Sequence, residues 1–187
     1  MVAVPIDTGR PIGRRTDKEP ETMTGEPTPT TPATIRSAVG SAIDAVDPTA
    51  DIVWRRNNDS SMLTAPRAFL RVFVEPGGLE AATGFYEDLQ GVERDMWFTF
   101  REFGIALSAV GGFLLIEGAA DTVERFRSTT GTLLVPELAP YLERLTAAGA
   151  EILEPLRRVP TGSGVTARHA DGTIVEYVEH RPTPEGR

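Results

Sequence analysis

The sequence predicts an α+β domain in which two copies of one βαβββ unit combine into a single curved mixed sheet. The helices lie on its outer face, and the other face is left concave as a cavity. Three observations predict it. The order of apolar periodicities recurs, first over residues 68–117 and again over 129–179. In each copy a stretch of helical period stops at a glycine, Gly91 and Gly149, and the junctions match, Gly91-Val92-Glu93 against Gly149-Ala150-Glu151. One such unit is too small to cover its own sheet, so two must share a core, and the concave side becomes the natural place for a small ligand.

Ahead of the repeat, residues 1–34 are expected to be a disordered tail. Pro, Thr, Gly and charged residues dominate it, as in Glu26-Pro27-Thr28-Pro29, and such a stretch buries too little apolar area to offset its ordering entropy. Residues 35–47 read as an amphipathic helix, capped by Thr34 and stopped at Asp47-Pro48, with Ile35, Ala38, Val39, Ala42, Ile43 and Val46 on one face. A helix this short is marginal alone in water, so that face is expected to dock on its own domain, on a second copy or on another protein. Residues 48–67 are expected to be a linker, with Ile52-Val53-Trp54 as a short edge strand.

Within the first unit, 69–74 reads as a strand and 79–90 as a helix with Leu79, Ala82, Tyr86 and Leu89 on one stripe. Strands follow over 93–100, 105–110 and 113–117, the last two separated by Gly111-Gly112. In the second unit, 132–135 is a strand and 136–148 a helix with Leu138, Tyr141, Leu142, Leu145 and Ala148 inward. Pro136 suits its first turn, where a missing N–H costs nothing. Strands over 151–159, 164–169 and 173–178 complete the set, the last pair joined by the tight turn Asp171-Gly172. Residues 180–187 are expected to be a polar tail with His180 exposed.

Composition sets outer bounds. The chain has 187 residues, 40% of them hydrophobic, enough for one core. No window approaches the roughly 18 consecutive apolar residues of a membrane span. The N-terminus lacks an apolar run followed by a small-residue cleavage site, so a cytoplasmic location is expected. With no cysteine, disulfides, thiolate ligands and Cys nucleophiles are excluded. A net charge of -8 argues against nucleic acid as a partner, and Arg55-Arg56 and Arg157-Arg158 are too short to reverse it.

The last strand holds the sharpest candidate. Period-two alternation puts Ile174, Glu176 and Val178 on one face and Thr173, Val175 and Tyr177 on the other. A carboxylate between two apolar residues is either a solvated face or a glutamate pointing into a cavity. The runs Val72-Phe73-Val74-Glu75, Phe85-Tyr86-Glu87-Asp88-Leu89-Gln90-Gly91, Gly149-Ala150-Glu151-Ile152-Leu153 and Asp171-Gly172-Thr173-Ile174-Val175-Glu176 together resemble the vicinal oxygen chelate superfamily. That group contains glyoxalase I, bleomycin- and fosfomycin-resistance proteins and extradiol dioxygenases.

The resemblance implies a glyoxalase-like pair of modules, often completed in a homodimer, with a divalent metal in the cavity of catalytic members. Metal-binding members place a His or Gln on the first strand of the first module, a His on the first strand of the second and a Glu on the last strand. Glyoxalases add a Glu at the end of the first module. Glu176 matches the last-strand position and Glu117 approximately the first-module one. The two first-strand positions fall at Ala68 and Thr130, and no His precedes His169. What the resemblance implies is therefore a member lacking the metal-binding histidines, with no metal or other cofactor expected.

Several polar residues remain as candidates. Glu176 is a former ligand now paired with an arginine such as Arg71 or Arg101, a contact for a cationic or hydroxylated ligand, or a general base. His169, beside the turn, is either a surface residue or the partner of Glu176 in an acid/base pair. Trp97 is either core or a flat wall for an aromatic ligand. Arg101, Glu117 and Thr130 are further ligand-binding candidates. Gly162-Ser163-Gly164 reads as a hairpin loop and not a phosphate cradle, because no helix follows it.

Three functions stand side by side: a metal-free protein that encloses a small organic molecule, a metal-independent isomerase, lyase or cyclase working through Glu176, and a protein-interaction module with a filled cavity. The first ranks highest. No nucleic acid or membrane partner is expected for any of them.

Overall fold

The computed structural model describes residues 51 and 53–182. The tail expected over 1–34, the helix over 35–47 and the last residues, 183–187, lie outside the described residues.

The first module comprises β2 (Arg67–Val74), α1 (Leu79–Gln90), β3 (Met96–Phe100), β4 (Ile105–Val110) and β5 (Phe113–Glu117). After a short helix α2 (Ala120–Glu124), the second comprises β6 (Gly131–Leu134), α3 (Ala139–Ala147), β7 (Glu151–Val159), β8 (Gly162–Arg168) and β9 (Ile174–His180). All of them, with β1 (Val53–Arg55), form one curled sheet of nine strands in the order β1-β3-β4-β5-β2-β6-β9-β8-β7. Within each module the first and last strands run parallel, β2 with β5 and β6 with β9. The modules join where β2 meets β6 antiparallel, Phe69 opposite Thr132. The expected α+β architecture is the observed one. Gly91 and Gly149 take the left-handed φ that a helix stop needs, at 63° and 72°.

Each helix is held at its start by a carboxylate from the last strand of its own module. Glu117 Oε2 accepts the Leu79 N–H at 2.7 Å, and Glu179 Oε2 accepts the Leu138 N–H at 2.9 Å. These bonds satisfy donors that the helix itself leaves without partners and place negative charge at the positive end of the dipole. Beneath the helices lie two outer cores, Leu79, Val110 and Leu115 under α1 and Val135, Leu138, Leu145 and Tyr177 beside α3. Each fully buried aliphatic side chain contributes roughly 2 kcal/mol. The concave face carries its own cluster, centred on Phe69, Met96, Phe98, Phe100, Leu107 and Leu114.

The linker expected over 48–67 is, in its described part, built into the fold. Val53–Arg55 pairs antiparallel with β3, Trp54 opposite Trp97. A 3-10 turn at Ser60–Met62 then places Ser60 at 3% exposure. Its Oγ donates to the Val135 carbonyl at 2.6 Å and accepts the His180 N–H at 3.0 Å. That tether continues β9 to His180, so the expected C-terminal tail starts one residue later and His180 is buried, not exposed. The strand expected from residue 93 begins at Met96, because Arg94 turns back to α1 and bonds Glu80 at 2.7 Å and Glu87 at 3.1 Å.

The two ends of the sheet are β1, three residues long, and β7. β7 carries Pro155 and two register shifts against β8, between Ile152 and Glu154 and between Glu154 and Arg157. Among the described residues no helix is long and apolar enough to cross a membrane.

Candidate functional site

Strand alternation and the curl of the sheet aim one side chain in two at a common space. On β3, Met96, Phe98 and Phe100 face it, on β5 Leu114 and Ile116, and on β9 Glu176, Val178 and His180. The cavity they line is partly enclosed and opens to solvent. Its mouth is aromatic and cationic. Arg157 lies over the Phe103 ring at 5.0 Å, and Arg125 over Phe103 and Phe126 at 4.3 and 4.7 Å.

The polar centre of the cavity is a closed triad of side chains. Glu176 Oε2 accepts the Arg71 Nη2–H at 2.8 Å and the Thr132 hydroxyl at 3.0 Å. The same hydroxyl accepts the Arg71 Nε–H at 3.0 Å, and Nη1 reaches the Phe126 carbonyl at 3.3 Å. Three of the five guanidinium N–H groups are engaged, and the threonine gives its one proton to the carboxylate and takes one from the guanidinium. The Arg71 side chain is 6% exposed and that of Glu176 21%. Glu176 Oε1 has no hydrogen-bond partner among the described residues and remains open as an acceptor.

These residues do not suit the divalent metal that the resemblance implies for catalytic members. The carboxylate in the last-strand position already holds a guanidinium cation, and its neighbours facing the cavity are Thr132, Phe69 and Leu114. Among the described residues no three His, Cys, Asp or Glu converge. One carboxylate and a hydroxyl fall short of the four to six donors such an ion takes.

The other expected site residues separate. His169 does not meet Glu176, because its Nε2 lies 2.8 Å from the hydroxyl of Tyr177, and Tyr177 points to the opposite face of β9, where it joins the core beside α3. Burial, and after it Tyr141, push the Tyr177 phenol above its ordinary value. Trp97 also faces outward and packs on the core under α1. Glu117 is the cap of α1 and does not line the cavity. Thr130 is exposed, its N–H spent on the Ile174 carbonyl at 2.8 Å, and Thr132 stands beside Glu176 in its place. Arg101 is exposed on a 3-10 turn, its backbone N–H bonded to Asp51 Oδ1 at 2.8 Å. Ala68 is likewise exposed, and the next inward residues on β2 are Phe69 and Arg71.

One residue of the cavity lacked any sequence signal. His180 sits at 7% exposure between this cavity and a second, partly open one, and it lines both, as do Phe69 and Met96. Burial, then the charges of Arg55, Arg67 and Arg181, push its imidazole down to about 3, so it is neutral in ordinary buffers. The only possible hint was that alternation from Glu176 continues through Val178 to His180.

Comparison with solved structures finds an uncharacterized protein from Methanosarcina mazei, 36% identical with a TM-score of 0.58, covering 63% of this chain and 94% of that one. Methylmalonyl-CoA epimerase from Mycobacterium tuberculosis is 20% identical with a TM-score of 0.45, covering 66% of this chain and 96% of its own. No protein-family model and no curated protein matches the chain.

Proposed function

The chain belongs to the vicinal oxygen chelate superfamily, and from that premise we propose that it is a binding protein that encloses a small, largely apolar organic molecule in the concave cavity without the family's metal. The observation that carries this reading is the Arg71–Thr132–Glu176 triad at the floor of a phenylalanine-lined space. Where a metal-binding member needs an open carboxylate, this one has a carboxylate neutralised by an arginine. What remains for a ligand is apolar area, worth about 25 cal/mol per Å² removed from water, and one polar contact at Oε1 of Glu176.

Thermal denaturation of the full chain with a panel of bicyclic aromatic compounds tests the reading. Saturating ligand at 100 times its Kd stabilises by about 2.7 kcal/mol, and the shift should be the same with and without EDTA. Stoichiometric metal in the purified protein, or a shift abolished by EDTA, would sink it. The enzyme reading rests on the free Oε1 of Glu176. It predicts chemical conversion of a bound compound that Glu176→Gln abolishes, and binding without conversion removes it.

A further inference from the structure

We propose that the ligand is an organic carboxylate, its apolar body in the phenylalanine-lined cavity and its anionic group in the second chamber, received by Arg55 and His180. This deepens the binding function proposed above and rests on it. The two spaces share the wall of Phe69, Met96 and His180, so one molecule can extend from one into the other.

The charges around the second chamber balance in number, three arginines against Asp59, Asp95 and Glu179, but not in their pairing. Arg67 is paired with Asp95 and also reaches the Gly111 carbonyl. Arg181 is paired with Glu179 at 3.0 Å and lies 3.7 Å from Asp59. Arg55 differs from both. Its guanidinium donates to three backbone carbonyls, Thr161 at 2.7 Å, Arg181 at 3.1 Å and Asn58 at 3.3 Å, and among the described residues it has no carboxylate partner. A half-buried cation that meets only dipoles keeps most of its attraction for an anion.

His180 supplies the second half of the site. It is 7% exposed, its backbone N–H is taken by Ser60 Oγ, and its ring has no hydrogen bond among the described residues. Its ring nitrogens are not fully closed off but open onto the two spaces that His180 lines, so a ligand there can reach them. Every charge that perturbs the imidazole is an arginine, so the potential at the ring is positive, and the burial there favours the neutral form. A neutral imidazole can still donate one N–H, and an incoming carboxylate both accepts it and relieves the repulsion among the arginines. A neutral alcohol of the same shape can accept the N–H but brings no charge to offset the arginines.

The test uses naphthalene-2-carboxylate and naphthalene-2-methanol, titrated calorimetrically into the full chain. The carboxylate should bind about tenfold tighter, the factor of one charge-assisted hydrogen bond. That preference should vanish in Arg55→Gln and persist in Arg157→Gln, which removes the cation at the aromatic mouth instead. Because Arg55 also holds three carbonyls, His180→Phe, which keeps the bulk of the ring, serves as a second variant and should cut the preference at least threefold. In the unaltered chain, added NaCl should weaken the carboxylate alone. Equal affinity for the two compounds, or a preference lost in Arg157→Gln and kept in Arg55→Gln, overturns the inference and leaves the binding function standing. Failure of both compounds to bind overturns the two together.

Discussion

Where the first module places Leu114 on its last strand and Gly118 just beyond it, the second places Glu176 and His180, although both strands reach a capping carboxylate at the same step, Glu117 and Glu179. The registers agree with this alignment, since Arg71 lies opposite Leu114 and Thr132 opposite Glu176. The residues that start the helices are thus the same in both halves, and the residues that face the cavity are not. Capping is a requirement of the repeated unit. The asymmetry of the cavity is what a ligand without two-fold symmetry would need.

The sharpest way to break the comparison is to unbalance its central pair. Arg71→Met leaves the Glu176 carboxylate in the cavity floor without its cation and should cost about 4 kcal/mol in urea denaturation. Adding Glu176→Leu, which gives both modules an apolar residue at this step, should recover all but about 1 kcal/mol. A single-variant cost below about 1 kcal/mol would show that the ion pair is not what separates the halves.

A smaller effect follows from His180, whose counterpart is Gly118. The folded chain holds this imidazole at about 3, below the ordinary 6.5. Between those values the unfolded chain binds a proton that the folded one excludes, so stability is complete above about 6.5 and declines as the pH falls toward 3. At pH 5 the loss should be about 2 kcal/mol. Urea midpoints at pH 7 and pH 5 measure it, and His180→Phe should flatten the slope across that window.

The smallest effects test the shared part. Glu117→Ala and Glu179→Ala should each cost about 1 kcal/mol, the ordinary worth of a helix cap. The second should cost slightly more, because Arg181 loses a partner at 3.0 Å as well. A difference above about 2 kcal/mol would mean that the two carboxylates are not equivalent.

Much of this was legible in the sequence, and the failures have physical causes. The repeat, both helices and the Gly91 and Gly149 stops are local signals, and a glycine at positive φ needs no tertiary context. Glu176 stood out by alternation and by a motif at fixed spacing, but its three readings and the choice between Arg71 and Arg101 as partner stayed open until the structure paired it with Arg71. Trp97 was left between core and cavity wall because Met96-Trp97-Phe98-Thr99-Phe100 is apolar on both faces. Alternation then tells which residues share a face without telling which face meets the cavity. Glu117, taken as an approximate match to the first-module ligand position, is instead the counterpart of Glu179, since both cap a helix and their partners are not visible in the sequence. His180 was missed because its burial comes from Ser60 and Arg55, well over a hundred residues away along the chain.

The ends of the sheet carry a last consequence. Pro155 has no N–H to offer, the two register shifts break the spacing of the acceptors on β7, and Glu151, Glu154, Arg157 and Arg158 add charge along it. At the other end β1 presents three residues. Among the described residues neither border offers a long run of regularly spaced groups, so continuation of the sheet from copy to copy along these residues is disfavoured, and an extended peptide laid along either would find few groups to bond.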